Sequence, residues 1–183
     1  MDAVIAIVMT ILVLELKKPS EPTFEAFWNL RVNFAIYAIT FLWLSAMWIS
    51  LHKAWRVADK ISNRTMWLSM GLLFFSSLFP YATSLVGSSF PSKAVQAFYG
   101  YIVIASTIML ILIYRNLAKD DERPDTVHYM RQVCNLLLID LGIQIAAMIV
   151  GMLFWPPFVS FGSLAAAAFT AARKKGIPEV VRE

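Results

Sequence analysis

Four stretches of this chain, 34–51, 66–86, 94–114 and 133–154, each approach or exceed 18 residues with few charges. A helix rises about 1.5 Å per residue, so roughly 20 apolar residues cross the ~30 Å hydrocarbon core of a bilayer. In lipid every backbone polar group must be satisfied internally, which makes the helix the form such runs can take. A soluble bundle would need a polar face on each helix, and these stretches offer few polar residues. Two shorter apolar segments, 3–16 and 158–172, lie outside the four. The expected fold is therefore all-α: a polytopic membrane protein with six transmembrane helices per subunit, forming a single domain over residues 1–183. The two short segments fit as inner helices or as helices with truncated or tilted ends.

Composition agrees. The chain is 59% hydrophobic and 15% charged, with a mean hydropathy of +0.65. Soluble domains average about 45–50% apolar and about 25% charged. The net charge of +4 and pI near 9.3 are compatible with nucleic acid or a membrane surface. The cations cluster at the ends of apolar segments, which favours the lipid bilayer as partner and no nucleic acid. With a cytoplasmic N-terminus, twelve Lys and Arg fall inside: Lys53, Arg56, Lys60, Arg64, Arg115, Lys119, Arg123, Arg131, Arg173, Lys174, Lys175 and Arg182. Four fall outside: Lys17, Lys18, Arg31 and Lys93. The positive-inside rule then puts both termini in the cytoplasm of a multi-pass cell-membrane protein. The start lacks the basic region and small-residue cleavage site of a signal peptide.

The connections carry their own signals. The stretch from Lys17 to about Arg31 contains Phe24, Phe27 and Trp28, a composition suited to the membrane interface. Pro80 should kink or shorten the third segment. "RNLAKDDERPDTVHYMRQ" is the most charged stretch and is expected to be solvated. Pro156 and Pro157 force a tight turn between the last two segments.

The residue inventory excludes much chemistry. GxSxG, HExxH, P-loop and dinucleotide fingerprints are all lacking, so no catalytic residue is assigned and the chain is not expected to be an enzyme. His52 and His128 lie on different connections, and the single cysteine, Cys134, reads as a packing residue, so no metal site is expected. The filter sequence TVGYG is also missing.

On the first segment Ile7, Ile11 and Leu14 fall at i, i+4 and i+7 and share one face, with Thr10 beside them. Spacing alone is equally served by ordinary helix packing. Ala3 and Ala6 allow this helix to approach others closely.

The stretch "DAVIAIVMTILVLEL" resembles the first-helix signature of the transmembrane protein 175 family of potassium-permeable channels. That signature is Arg-x-x-x-Phe-Ser-Asp followed by Ala-Val-x-Ala-Ile-x-x-Thr-Leu-Leu-Val-Leu. Asp2, Ala3, Val4, Ala6, Ile7, Thr10, Leu12, Val13 and Leu14 match in place. "MWISLHKAW" is similar to the family's Trp-x-x-His-His-x-x-Phe helix ending, and "LLFFSSLFPYATSLVG" to its third helix. The likeness covers roughly the first 115 residues well and the last third by topology only.

The resemblance implies a homotetramer whose first helices line a central pore for potassium and other monovalent cations. It implies a constriction of apolar side chains in place of a carbonyl filter. Carried over, the constriction is Ile7, Ile11 and Leu14, with Ile7 the narrowest layer and Thr10 supplying a ring of hydroxyls. It implies no cofactor beyond permeant K+ in the pore. Glu15 stands near the outer end of the helix, where it either concentrates cations at the mouth or pairs with Lys18 at i+3. Asp2, Trp48 and His52 correspond to the family's polar network around the first helix. Each also has a plainer reading: Asp2 as a helix cap, Trp48 as an anchor or packing aromatic, His52 as an interfacial histidine. Two positions depart from the pattern. The sequence holds no Arg-x-x-x-Phe-Ser ahead of Asp2, and Leu51 stands where the family often has its first histidine. The first helix is short either because its opening turns are not included or because outer helices shield it from lipid.

Asp140, with Gln144 at i+4, lies in the fifth segment. An intramembrane acid is costly and marks a functional candidate. Polar glue between helices is the other reading. A secondary transporter with a midplane site around Asp140 and Gln144 is the alternative function, and a non-transporting scaffold a third.

Overall fold

The computed structural model describes residues 1–174. Lys175 and Arg182, used in the charge count, and the expected position of the C-terminus lie outside the described residues. Within them the fold is all-helical: α1 Asp2–Leu14, α2 Phe24–Asn29, α3 Arg31–Val57, α4 Asn63–Ser77, α5 Phe79–Ser88, α6 Lys93–Asp120, α7 Pro124–Leu153 and α8 Phe158–Lys174.

Four helical stretches are long and apolar enough to cross a membrane: Arg31–Val57, Asn63–Ser88, Lys93–Asp120 and Pro124–Leu153. Asp2–Leu14 and Phe158–Thr170 are apolar but shorter. At 1.5 Å per residue α1 is only about 20 Å long.

The four long stretches overrun their apolar cores. α3 continues through "HKAWR" to Val57, and α6 and α7 extend into the charged stretch between them. That stretch is not one long solvated connection; only Asp121, Glu122 and Arg123 are non-helical. Its charged residues sit on helical faces: Arg115 and Lys119 are exposed while Tyr114 and Leu117 are buried.

Pro80 breaks the third segment as expected, but gently. α4 ends at Ser77 and α5 begins at Phe79, with Leu78 shared as cap in right-handed helical geometry (φ −84°, ψ −12°). Pro80 falls in the first turn of α5, where a missing N–H costs nothing. Side chains also mark the starts of α2 and α4: Thr23 accepts from the Ala26 N–H at 3.2 Å and Ser62 from the Thr65 N–H at 3.4 Å.

α6 is the most buried of the long helices. Tyr99, Ile102, Ile113, Tyr114 and Leu117 are all at or below 1% exposed. Two of its three tyrosines, Tyr99 and Tyr114, tie it to α3. The Tyr99 hydroxyl lies 3.1 Å from Thr40 Oγ1, which also accepts from Thr83 Oγ1 on α5 at 3.1 Å. The Tyr114 hydroxyl donates to the Ser50 carbonyl at 2.7 Å. Such buried hydroxyls are satisfied in pairs because an unpaired one costs about 1–3 kcal/mol.

Small residues bring α8 against α6 and α7. A Cβ on Gly100 would stand 2.6 Å from Val159 Cγ1, and one on Gly151 2.8 Å from Val159 Cγ2. Val159 therefore fills a notch that two glycines leave on neighbouring helices, the close packing expected where lipid supplies no hydrophobic drive.

Candidate functional site: the outward face of the first helix

α1 is apolar on nearly every side, and the structure divides it into two faces. Ile5, Val8 and Leu12 are buried, at 1%, 4% and 0% exposure, in the angle between α3, α4 and α5. Ile7, Ile11 and Leu14 point away from the subunit, at 56%, 39% and 78%. Both sets have helical spacing, and only one can be used within a single chain. A helix that is hydrophobic all round belongs in a buried position. The Ile7–Ile11–Leu14 stripe has no partner inside the described subunit.

Thr10 is exposed beside this stripe, and its hydroxyl donates to the Ile7 carbonyl at 2.8 Å. The proton is committed to the backbone, so the oxygen lone pairs remain as acceptors. Glu15 is half-buried just past the last helical residue. No ion pair joins it to Lys18 among the described residues.

The structure brings Asp2, Trp48 and His52 together. Trp48 Nε1 donates to Asp2 Oδ1 at 3.2 Å, and His52 Nδ1 lies 3.7 Å from Asp2 Oδ2. The Trp48 and His52 rings face each other with centroids 5.4 Å apart. Asp2 is the first helical residue, and Met1 holds the cap position. The start of α1 is thus bound to α3 by a carboxylate shared between an indole and an imidazole.

Asp140 is 4% exposed within α7. It accepts from Gln144 Nε2 at 2.8 Å and from Thr170 Oγ1 of α8 at 3.1 Å. Gln144 Oε1 in turn accepts from Thr107 Oγ1 of α6 at 3.1 Å. Three helices are linked through this cluster, and a cavity of about 530 Å³ adjoins it, lined in part by Leu42, Ile49, Tyr129 and Asp140. No group of three or more His, Cys, Asp or Glu stands ready for a metal among the described residues.

One feature at the bundle end escaped sequence reasoning. Arg123 Nη2 donates to Asp121 Oδ2 at 2.7 Å and to the Val57 carbonyl at 2.6 Å, while the Asp59 N–H donates to Asp121 Oδ2 at 3.2 Å. The guanidinium beside it holds the Asp121 carboxyl down at about 2. The clasp joins the end of α3 to the α6–α7 turn. Its signal was buried in "DDER", a charge run with nothing to distinguish the structural acid from the solvated ones.

Four helical stretches long and apolar enough to cross a membrane, with the short apolar α1 laid against them and half uncovered, define a polytopic helical membrane protein. Comparisons with known proteins show what it is similar to. Residues 1–80 match the family described as endosomal/lysosomal potassium channel TMEM175. A potassium channel of Chryseobacterium sp. (strain P1-3) is 27% identical over 166 residues, 88% of this chain and 83% of that protein. A potassium channel of Streptomyces collinus (strain DSM 40733 / Tue 365) is 21% identical over 126 residues, 64% and 61% of the two chains. The solved structure of a lysosomal potassium-selective channel TMEM175 homolog from Chamaesiphon minutus superposes with a TM-score of 0.81, covering 96% of this chain and 94% of that one. At 19% identity that match speaks to the fold. Residues 1–80, which hold the first-helix resemblance, are thus similar to the TMEM175 family.

Proposed function

We propose that this chain is the subunit of a potassium-permeable cation channel. Residues 1–183 form one domain with six membrane-crossing helices, in which α1 and α8 are the short inner or tilted members. Four copies assemble around an axis and α1 of each faces that axis. Ile7, Ile11 and Leu14 stack as apolar rings, Thr10 adds acceptor oxygens, and Glu15 stands at the mouth. Asp2, Trp48 and His52 set the position of the helix start. The protein sits in the cell membrane with both termini cytoplasmic. It catalyses no reaction and needs no cofactor.

The observation that carries this reading is the exposure of Ile7, Ile11 and Leu14 on a helix whose other face is fully packed. Lipid would also cover an apolar stripe. But α1 is about 20 Å long, too short to match the ~30 Å core, whereas a helix enclosed by its own and neighbouring subunits need not match it. The TMEM175 resemblance and the potassium-channel relatives supply the permeant ion. Physically, a narrow apolar ring excludes ions by dewetting, and a small outward tilt of the helices readmits water and cations.

The test is reconstitution in liposomes with a potassium gradient, read by flux and by recording with potassium on one side and sodium on the other. The wild type passes potassium. Ile7→Asn raises leak and lowers selectivity. Wild-type flux and selectivity in Ile7→Asn would remove Ile7 from the constriction. A solubilised monomer would remove the shared pore.

A second reading, transport through Asp140 and Gln144, draws on the buried cluster and its adjoining cavity. It requires saturable flux that Asp140→Asn abolishes.

A further inference from the structure

The charged residues that α6 and α7 carry past their apolar cores converge on a second cavity, of about 470 Å³. Arg115 and Lys119 are one helical turn apart near the end of α6; Arg131 and Asn135 are one turn apart near the start of α7. The four polar side chains line the cavity from two facing helices, over a floor that includes Ala118 and Cys134. No acidic residue lines it. Three of the nearby carboxylates are engaged elsewhere: Asp120 accepts from Asn116, Asp121 is held by Arg123, and Glu122 pairs with Lys60; Asp125, at the start of α7, is exposed and outside the cavity lining. None of the three cations has an ion-pair partner among the described residues.

The same two helical faces turn apolar away from this end. Ile108, seven residues before Arg115, is 38% exposed, and Leu138, seven residues after Arg131, is 39% exposed. Residues seven apart lie on one helical face. A Cβ on Gly142, farther along α7, would meet nothing within 4 Å. The surface therefore reads as three cations and an amide at one end with an open apolar track leading toward the bilayer centre.

We propose that this is a binding site for an anionic phospholipid, with its phosphate between Arg115 and Arg131 and an acyl chain along Ile108 and Leu138. Basic pockets between transmembrane helices suit such headgroups. The guanidinium groups supply the forked donors that phosphate oxygens accept, and Lys119 adds a point charge. The apolar track selects a lipid over a free phosphate, since a soluble anion would use the cations alone. The inference needs the membrane placement of α6 and α7 and no statement about conduction.

The experiment uses the full chain, purified in detergent and passed into nanodiscs of phosphatidylcholine with or without phosphatidylglycerol. Bound lipid is read by native mass spectrometry and stability by thermal unfolding. The wild type retains phosphatidylglycerol and its melting temperature rises with that lipid. Arg115→Gln with Arg131→Gln weakens retention about twenty-fivefold, at about fivefold per cation, and abolishes the rise. Should the double variant misassemble, Lys119→Gln and the charge-keeping Arg115→Lys replace it: the first weakens retention about fivefold and the second less. Equal retention by wild type and charge-removing variants overturns the site. Inorganic phosphate reproducing the whole stabilisation in phosphatidylcholine overturns the lipid as its source.

Discussion

The indole N–H of Trp48 reaches the carboxylate of Asp2 at 3.2 Å, so the first turn of α1 is tethered to α3 by a bond spanning 46 positions of sequence. On the other side of that carboxylate stands His52 Nδ1 at 3.7 Å. Both side chains of this second contact are about half exposed, so water competes with it. The tether matters more for where α1 points than for how stable the bundle is.

Trp48→Phe keeps the ring and removes the donor. The expected cost in thermal unfolding is about 1 kcal/mol or less, the net worth of one partly solvated hydrogen bond. The orientation of α1 should respond more. A cysteine placed at Ala3 should react faster with a soluble thiol reagent in the Trp48→Phe background than in the parent. Equal rates would mean that the packing of Ile5, Val8 and Leu12 fixes α1 unaided.

Those three residues explain how much of the site could be read in advance. Ile5, Val8 and Leu12 are at i, i+3 and i+7; Ile7, Ile11 and Leu14 are at i, i+4 and i+7. Both stripes are apolar and both are helical, so periodicity cannot say which faces the subunit. The family resemblance chose the second stripe for the pore, and it is the one left outward. Asp140 and Gln144 were legible because i+4 on one helix is a local relation. The triad of Tyr99, Thr40 and Thr83 was not, because it depends on the mutual register of α6, α3 and α5. The α6–α7 turn was misjudged for a different reason: charge marks where solvent begins, while helices continue into solvent when one face remains packed.

The division of α1 into two faces yields a paired prediction. Ile5→Asn buries an amide at a position that is 1% exposed, and it should destabilise the assembled protein by about 3 kcal/mol or more. Ile7→Asn alters a position that is 56% exposed in the subunit and should leave subunit folding nearly unchanged while changing flux. Thermal unfolding and liposome flux on the same two preparations give the comparison. A large loss of stability in the Ile7 variant would place that side chain in packing rather than at an open conduit.

Asp121 makes the stability of the clasp depend on pH. Its carboxyl is held at about 2, below its ordinary value of 3.8, first by the hydrogen bond from Arg123. A group whose folded value is depressed contributes stability above its unfolded value and loses it as pH falls toward the folded one. The contribution is thus complete above about pH 5 and is lost progressively as pH falls through about 2, on the order of 2 kcal/mol in size. Asp121→Asn should unfold at lower temperature than the parent at pH 6, with the gap closing as pH is lowered from 4 toward 2. A gap that stays constant across that range would show that the carboxylate charge contributes nothing to the clasp.

Asp140 poses the choice between glue and transport. Its oxygens accept from two different helical positions, Gln144 on its own helix and Thr170 on α8. Asn at this position keeps one acceptor oxygen and presents an NH₂ where a second donor already points. The charge-assisted bond from Thr170 is then lost or must reverse, in a region that is 4% exposed. Losing one buried partner costs about 1–3 kcal/mol, and that loss should appear in thermal unfolding of Asp140→Asn. The proposed pore is lined by α1, so potassium flux per assembled protein should stay near the parent value. Abolished flux in a normally assembled, normally stable variant would move the permeation route to α7 and favour the transporter.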